Sequence, residues 1–252
     1  MKFVSNHAAA VLGKVLVVAD LHLGIEFDLR SKGVRMPLQW KATAAELSGL
    51  LKQTRCSELL ILGDAKHDIY GMELREKEMM RSFFRSVLDF GCKKITVVKG
   101  NHDGQLQELK EEGFIELVGP SGGVFSVGGR KYGACHGHAW PSEEVAQARV
   151  LLLAHSHPLI EFRDSLGFRW FERAWILGSL RRRESRGCQK AVVFPAFNTL
   201  SGGLAFNSRP CRGLFGPLFE NNLFELESAE ARLLSGMPLG SVGVLRKQFG
   251  SG

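Results

Sequence analysis

The sequence lacks the cysteine patterns that stabilise small secreted domains or bind zinc. Its five cysteines are an odd number, and no two of them are separated by just two residues. A disulfide framework and a cysteine zinc site are therefore both disfavoured. We expect reduced and mostly buried thiols instead.

Long apolar runs are missing as well. No stretch approaches the roughly 20 residues that a helix needs to cross a membrane. The first apolar run, residues 15–19, is too short for a secretory signal and leads straight into a polar motif. Pro/Ser-rich linkers, low-complexity tracts and internal repeats are also absent. We therefore expect a cytoplasmic protein that does not contact membranes and folds as one domain over residues 1–252.

Positive charge is in surplus. The chain has 33 lysines and arginines against 26 aspartates and glutamates, which gives a formal charge of +7. A basic surface attracts polyanions, but many basic proteins never contact nucleic acid. One basic run contains Arg181, Arg182 and Arg183, and it forms either a solvated face or a nucleic-acid contact.

The apolar pattern changes character between the two halves of the chain. Residues 15–19, 58–62 and 94–98 predict strands, and residues 39–55 and 73–90 predict helices between them. The first half therefore predicts βαβ units with parallel strands.

The second half predicts mostly antiparallel strands. Gly128-Gly129 and residues 164–167 each lie between two strand-like segments, as the turn of a hairpin does. Two sheets that share one core would accommodate both halves of the chain.

Polar side chains follow the strand-like segments at the points where those segments end. Ligand and catalytic groups of α/β proteins gather at the carboxyl ends of strands. Each cluster alone could be a turn or a packed histidine, but five in succession predict a site. The clusters are Asp20-Leu21-His22, Gly63-Asp64, Gly100-Asn101-His102-Asp103, His136-Gly137-His138 and His155-Ser156-His157.

The residue types in these clusters define the class of metal. Carboxylates, imidazoles and an amide oxygen without thiolate suit Mn, Fe, Ni or Zn better than Ca. The number of ligands exceeds what one ion needs, and one aspartate can bridge two ions. Two ions about 3.5–4 Å apart can hold both the attacking and the leaving oxygen of a phosphoryl displacement.

The order of these motifs over residues 15–158 resembles the calcineurin-like metallophosphoesterases. Ala154-His155-Ser156-His157 carries alanine where that family has glycine. More narrowly, residues 19–24 and 63–67 resemble the archaeal ICC-like or SbcD-related phosphoesterases, as do residues 136–138, 195–198 and 201–203. The resemblance implies an α/β fold, a four-layer α/β/β/α sandwich of two mixed sheets.

The resemblance also implies roles for individual residues. Asp20, His22 and His157 would hold a first metal, and Asn101, His136 and His155 a second. Asp64 would bridge the two ions, and a hydroxide between them would be the nucleophile. His102 would protonate or stabilise the leaving oxygen, and Asp103 would orient and charge His102. We expect two divalent ions, manganese ahead of iron, nickel or zinc.

Four further residues are candidate substrate contacts. Lys66 follows the bridging aspartate and either neutralises phosphate or is a solvated loop lysine. Arg30 and Arg35 lie in residues 25–37, which form either a solvated loop or a lid at the rim. His138 either reaches the substrate or packs beside His136.

We therefore predict a metal-dependent phosphoesterase. The charge and the resemblance favour a phosphodiesterase acting on DNA, RNA or a nucleotide. A phosphomonoesterase acting on a small metabolite remains an alternative. A non-catalytic nucleic-acid-binding scaffold is a weaker one, because such scaffolds usually lose ligands and every ligand position is filled here.

Overall fold

Strands and helices alternate through the first half of the chain as the apolar pattern predicts. A computed structural model describes residues 1–69, 71–181, 189–208 and 216–249. The helices are α1 (Ile25–Ser31), α2 (Trp40–Thr54), α3 (Leu74–Asp89), α4 (Gln107–Glu111), α5 (Glu143–Gln147), α6 (Pro217–Glu220) and α7 (Val242–Phe249). No helix among the described residues is long and apolar enough to cross a membrane.

The first sheet contains six strands that lie in chain order. They are β1 (Lys2–Phe3), β2 (Ala9–Leu12), β3 (Val15–Val18), β4 (Glu58–Ile61), β5 (Lys94–Val98) and β6 (Glu116–Val118). Strands β3 to β6 are parallel, and β1 and β2 form an antiparallel hairpin against β3. The predicted βαβ arrangement is therefore confirmed.

The second sheet is mixed, with order β13-β10-β11-β12-β9-β8-β7, and it also carries β14 on β11 and β15 on β14. Its strands are β7 (Gly123–Val127), β8 (Arg130–Ala134), β9 (Val150–Leu153), β10 (Pro158–Arg163), β11 (Arg169–Leu180), β12 (Gln189–Val193), β13 (Leu204–Ala205), β14 (Glu230–Leu233) and β15 (Pro238–Ser241). Both predicted hairpins form, β7–β8 and β10–β11.

Alternating side chains of the central strands create three apolar layers. In β3, Leu16 and Val18 pack with residues of α2 and α3, whereas Val17 faces the second sheet. In β9, Leu152 points into the layer between the sheets, and Leu151 packs outward with residues of α6 and α7. Successive residues of a strand face opposite sides of its sheet. The predicted four-layer α/β/β/α sandwich is confirmed.

Two parts of the chain differ from the sequence prediction. Residues 25–37 were expected to form a loop, but their first half is helix α1, which is under two turns long and too short to show a helical period. Strand β11 continues to Leu180 because β12 and β14 pair with its later residues. Cys56, Cys92 and Cys135 are buried and unpaired, as expected; Cys188 and Cys211 lie outside the described residues.

The parallel pairings align two edges of the sandwich. The carboxyl ends of β3, β4, β5, β8 and β9 meet at one edge, which we call the carboxyl edge. The opposite edge, where these strands begin, is the amino edge. All five polar clusters follow strands at the carboxyl edge.

Candidate metal centre

The structure brings the predicted ligands together from both sheets. Six of the seven predicted ligands form two groups at the carboxyl edge, and the candidate ligand atoms within each group lie within 4.8 Å of one another. The groups are Asp20, His22 and His157, and Asp64, His136 and His155.

The first group contains the buried carboxylate of Asp20, which has no hydrogen-bond partner among the described residues. His157 Nε2 lies 3.3 Å from Asp20 Oδ1 and 3.2 Å from His22 Nε2. Both oxygens of Asp20 are buried, and neither has a hydrogen-bond partner among the described residues. A buried carboxylate without partners is costly, so the group fits a bound cation.

In the second group, a backbone carbonyl oxygen orients the ring of His136. The Nδ1 of His136 lies 2.7 Å from the carbonyl oxygen of Leu62, so it donates there and leaves Nε2 as a ligand atom. That Nε2 is 3.3 Å from Asp64 Oδ2 and 3.2 Å from His155 Nδ1. His157 of the first group is held in the same way, with Nδ1 2.7 Å from the carbonyl oxygen of Gly202.

Asp64 lies between the two groups. Its Oδ2 is 3.3 Å from His136 Nε2 and 3.7 Å from His22 Nε2. Its Oδ1 accepts the backbone N–H of His102 at 3.0 Å. The geometry therefore allows one carboxylate to serve ions in both groups.

Five of the seven predicted ligands adopt left-handed backbone conformations. Their φ angles are 53° for Asp20, 42° for His22, 48° for Asp64, 73° for His155 and 40° for His157. Such conformations cost non-glycine residues about 1–3 kcal/mol each and cluster at functional sites. The strain turns side chains from successive strand ends toward a common point.

Two glycines make room for this convergence. A Cβ on Gly63 would lie 2.3 Å from the His136 ring, and one on Gly100 would lie 2.1 Å from Asp64 Oδ1. A side chain at either position would push a ligand aside. The glycines of the Gly-Asp and Gly-Asn-His-Asp motifs are therefore required by packing.

Burial and the two carboxylates set the charge of the histidines. Burial lowers the pKa of His22 to about 2, against the opposing effect of Asp64. Burial, together with the charge on His136, lowers the pKa of His155 to about 3. Burial also opposes the charged form of His136, but Asp64 and Asp20 outweigh it and raise its pKa to about 9. A proton and a cation therefore compete for His136 at neutral pH.

His102 stands beside the two groups without belonging to either. Its Nε2 lies 3.8 Å from Asp64 Oδ2, and its Nδ1 contacts the carbonyl oxygen of His67. The Asp103 carboxylate, which we expected to orient His102, contacts backbone groups in this structure, and its catalytic role stays a prediction. The buried Asp103 carboxylate accepts backbone N–H groups of Ala65 and Gly100 at 2.9 Å, which ties two ligand loops together. Burial, with the nearby Asp64, raises the pKa of Asp103 to about 6.

Three of the candidate substrate contacts, Lys66, Arg30 and Arg35, do not line the two cavities at the ligand groups. Lys66 is buried, and its Nζ donates to the carbonyl oxygens of Asp68 and Gly71, so it stabilises its own loop instead of facing substrate. Arg30 donates to the carbonyl oxygen of Met36, and with Arg35 it lines a separate groove. Neither arginine lines the cavities at the ligand groups.

His138 packs beside the second group. Its ring centroid lies 5.2 Å from that of His136, and burial, with the charge on His136, lowers its pKa to about 4. This position agrees with the packing alternative.

Arg181, the described residue of the basic run, lies at the opposite edge from the ligands. Arg181 follows the last residue of β11 at the amino edge and pairs with Glu225 at 3.2 Å. Arg182 and Arg183 lie outside the described residues. Arg181 therefore cannot contact a phosphate at the metal groups.

Two adjoining cavities open over the site. One, of about 450 Å³, is lined by His22, Asp64, Asn101, His102, His155 and His157, together with residues 202–204. The other, of about 780 Å³, extends from His102 and His67 toward α1 and α3. Both include His102 and Ile69 in their linings, so they form one cleft.

The sequence interpretation missed two residues of the site. His67 Nδ1 lies 3.3 Å from His22 Nδ1, and His67 also forms a potential ligand group with His22 and His102. Asn198 Nδ2 donates to the carbonyl oxygen of Leu21 at 2.8 Å and so supports the first ligand loop. Their positions just after strand-like segments were the signal available in the sequence.

Comparisons with known proteins agree with this geometry. The sequence profile of the calcineurin-like phosphoesterase family matches residues 13–183. No curated protein matches the chain.

The solved structures that are similar to the chain include a nuclease and a phosphoesterase. Nuclease MPE from Pseudomonas putida has a TM-score of 0.55 and 19% identity over 90% of this chain and 88% of that one. The E. coli phosphoesterase YfcE has a TM-score of 0.44 and 14% identity over 90% and 96%.

The length of the family match defines the class of protein. It spans more than half of the chain, and nuclease MPE has the same fold. The chain belongs to the calcineurin-like phosphoesterase family, whose members depend on divalent metal ions. It is a phosphoester hydrolase. The narrower likeness to ICC-like and SbcD-related proteins stays a prediction.

Proposed function

We propose that this hydrolase is a dinuclear phosphodiesterase of nucleic acid or nucleotides, folded as one domain. The observation that carries the proposal is the position of Asp64 between two histidine groups, next to the unpartnered carboxylate of Asp20. One ion would leave several of these ligands unused. Two ions would satisfy both groups through a single bridging carboxylate.

The ligand roles follow from the two groups. Asp20, His22 and His157 would hold one ion, and His136, His155 and the cavity-lining Asn101 the other. The mixed N/O donor set supports manganese, with iron, nickel or zinc as alternatives. When bound, the two ions would lower the pKa of a water between them and offset the charge of the phosphate.

His102 is suited to deliver a proton to the leaving oxygen. Its Nδ1 is held at the carbonyl oxygen of His67, so a protonated ring directs its Nε2–H toward the cavity. Asp103 supports the reaction indirectly, because its carboxylate fixes the loops that carry Asp64 and His102. General acid catalysis of this kind contributes typically about 10²–10⁴-fold.

The lining of the smaller cavity favours diesters over monoesters. Among the described residues that line it, none is a lysine or arginine, and the cations Lys32 and Arg75 line only the larger cavity. A monoester dianion carries one more negative charge than a diester and gains more from such cations. The open cleft beyond His102 also leaves space for a second ester group.

The test is a substrate comparison with metal-loaded protein. We expect bis-para-nitrophenyl phosphate and single-stranded oligonucleotides to be hydrolysed with higher kcat/KM than para-nitrophenyl phosphate. Each should be measured with manganese, iron, nickel and zinc. Faster hydrolysis of the monoester, without oligonucleotide cleavage, would instead favour a phosphomonoesterase acting on a small metabolite.

A further inference from the structure

A two-stranded arm projects from the carboxyl edge. In β11, residues 176–180 pair with β12, whereas residues 169–173 pair with β10 and with no other strand in the described part of the chain. Every residue from Asp164 to Glu172 is exposed. Residues 158–173, which we call the arm, therefore begin inside the second sheet, where Ile160 is buried and Pro158 pairs with β13, and end in a hairpin tip that projects beyond it.

The arm begins at the wall of the metal cavity. His157 immediately precedes β10, and Leu204 of the cavity lining pairs with Pro158. On β11, the second strand of the arm, Arg173 Nη1 donates to the carbonyl oxygens of Ala196 and Phe197 at 2.9 and 3.0 Å. Asn198, the next residue, holds the loop of Asp20 and His22. The base of the arm is thus fixed to the ligand loops.

The two faces of the arm differ. Trp175 lies in the layer between the sheets, so Arg173, Phe171 and Arg169 project from the same face of β11, toward the side of the first sheet. On the outer face, Trp170 stacks with Phe162 at 5.4 Å and with Phe168 at 6.3 Å between ring centroids.

The inner face combines an aromatic ring with positive charge. Phe171 is 50% exposed and has no ring contact among the described residues. Next to it, Arg169 lies opposite Arg163 across the arm. Both guanidinium groups lie 3.6 Å from one buried carboxylate, that of Glu161. The Arg169 side chain is 55% exposed and places positive charge at the surface of this face.

We propose that the inner face of the arm binds single-stranded nucleic acid that leads away from the metal centre. Phe171 stacks on a base, and Arg169 contacts a phosphate. Aromatic rings that alternate with cations are the means by which proteins hold single strands without sequence preference. A duplex would not offer the face of a base to Phe171. This inference rests on the proposed nucleic-acid phosphodiesterase function.

The length of the arm adds a requirement on the substrate. Arg163, which pairs with Arg169, lies six positions beyond His157, which corresponds to about 20 Å at about 3.3 Å per residue. A dinucleotide cannot occupy the metal centre and the arm together, whereas an oligonucleotide can. The arm therefore predicts a dependence of kcat/KM on chain length.

The experiment compares a thymidine dinucleotide with an oligothymidylate of about 12 residues, a length in the range of known single-strand sites. Metal-loaded wild type and Phe171→Ala are assayed on both, with bis-para-nitrophenyl phosphate as reference. Wild type should prefer the longer substrate. In Phe171→Ala, the ratio of kcat/KM for the longer substrate to that for the dinucleotide should fall about tenfold. Stacking on one base contributes about this factor to binding. Arg169→Ala should lower the slope of log kcat/KM against log salt by about 0.7.

Matched controls lie elsewhere on the same sheet. Phe168→Ala removes an exposed ring from the outer face, and Lys131→Ala removes an exposed cation near the amino edge. Both should keep the wild-type preference and salt slope. All variants should be compared by melting temperature to confirm folding.

The possible results distinguish failure of the arm inference from failure of the proposed function. Cleavage of oligonucleotides with equal length preference in wild type and Phe171→Ala would overturn the arm inference and leave the function intact. Hydrolysis of bis-para-nitrophenyl phosphate without any oligonucleotide cleavage by wild type would overturn the nucleic-acid function itself. Loss of self-association in Phe168→Ala, with Phe171→Ala like wild type, would identify the arm as a protein interface.

Discussion

The two edges of the sandwich differ in which residues adopt left-handed backbone conformations. At the amino edge, left-handed conformations fall mainly on glycines such as Gly13, Gly128 and Gly129, with Arg55 and Asn222 as exceptions. At the carboxyl edge, where Gly63 and Gly137 also have positive φ, they fall on five predicted ligands: Asp20, His22, Asp64, His155 and His157. The amino edge is thus built from residues that adopt positive φ at little cost, whereas the carboxyl edge contains strained residues.

The difference extends to charge. At the amino edge, Arg181 has a carboxylate partner in Glu225. At the carboxyl edge, neither oxygen of the buried Asp20 has a hydrogen-bond partner among the described residues, and Asp64 and Asp20 raise the pKa of His136. Strain and unbalanced charge coincide at one edge because ligands from both sheets must converge there. Substitutions should therefore have large effects at the carboxyl edge and small effects at the amino edge.

The largest effect is expected for Asp64→Ala. Because Asp64 lies between both ligand groups, its loss should release most of the bound metal and abolish nearly all hydrolysis. Metal content by elemental analysis and the rate on bis-para-nitrophenyl phosphate measure this. Asp89→Ala, at the exposed end of α3, is the matched control and should behave as wild type. Unchanged metal content in Asp64→Ala would contradict the bridging role.

His102→Ala should have the next largest effect. Loss of a general acid should lower kcat by about 10²–10⁴-fold for substrates whose leaving oxygen needs a proton. The loss should be smaller for esters of para-nitrophenol, which leaves without one. Both metals should stay bound, because His102 lies outside the two ligand groups. If the variant loses a metal, His102 is a ligand, and its group with His22 and His67 is then the relevant one.

A smaller effect concerns backbone strain at His155, whose φ is 73°. In metal-free protein, His155→Gly should be more stable than His155→Ala by about 1 kcal/mol, because glycine adopts positive φ without a Cβ clash. The free energies of unfolding in urea give this difference. At the exposed Glu78 of α3 the order should reverse, since glycine weakens a helix by about 1 kcal/mol relative to alanine. The same order at both positions would argue against strain at His155.

The smallest effect is expected for Arg181→Ala at the amino edge. Its pairing with Glu225 is exposed, and such pairs contribute about 0–1 kcal/mol. Oligonucleotide cleavage and its salt dependence should match wild type, in contrast to Arg169→Ala on the arm. A clear loss of cleavage in Arg181→Ala would mean that nucleic acid extends to the amino edge, and the contrast between the edges would then fail.

Much of the first sheet was predictable because its signals are local. Strands β3, β4 and β5 are apolar runs bounded by polar motifs, and their parallel order follows from the helices between them. The second sheet was harder to predict. Strand β12 pairs with β9, and β10 pairs with β13, across long stretches of chain that carry no local signal for these pairings.

The sequence by itself determined which residues are available as ligands and the order in which they follow the strands. Only the tertiary structure decided which way each side chain points. Asp103 follows His102 in the chain, but its carboxylate binds the backbone of another loop. Lys66 and Arg30 turn to nearby carbonyl oxygens, whereas His67 turns into the site. These directions depend on φ angles at strand ends and on contacts between distant strands, and neither leaves a period or spacing in the sequence.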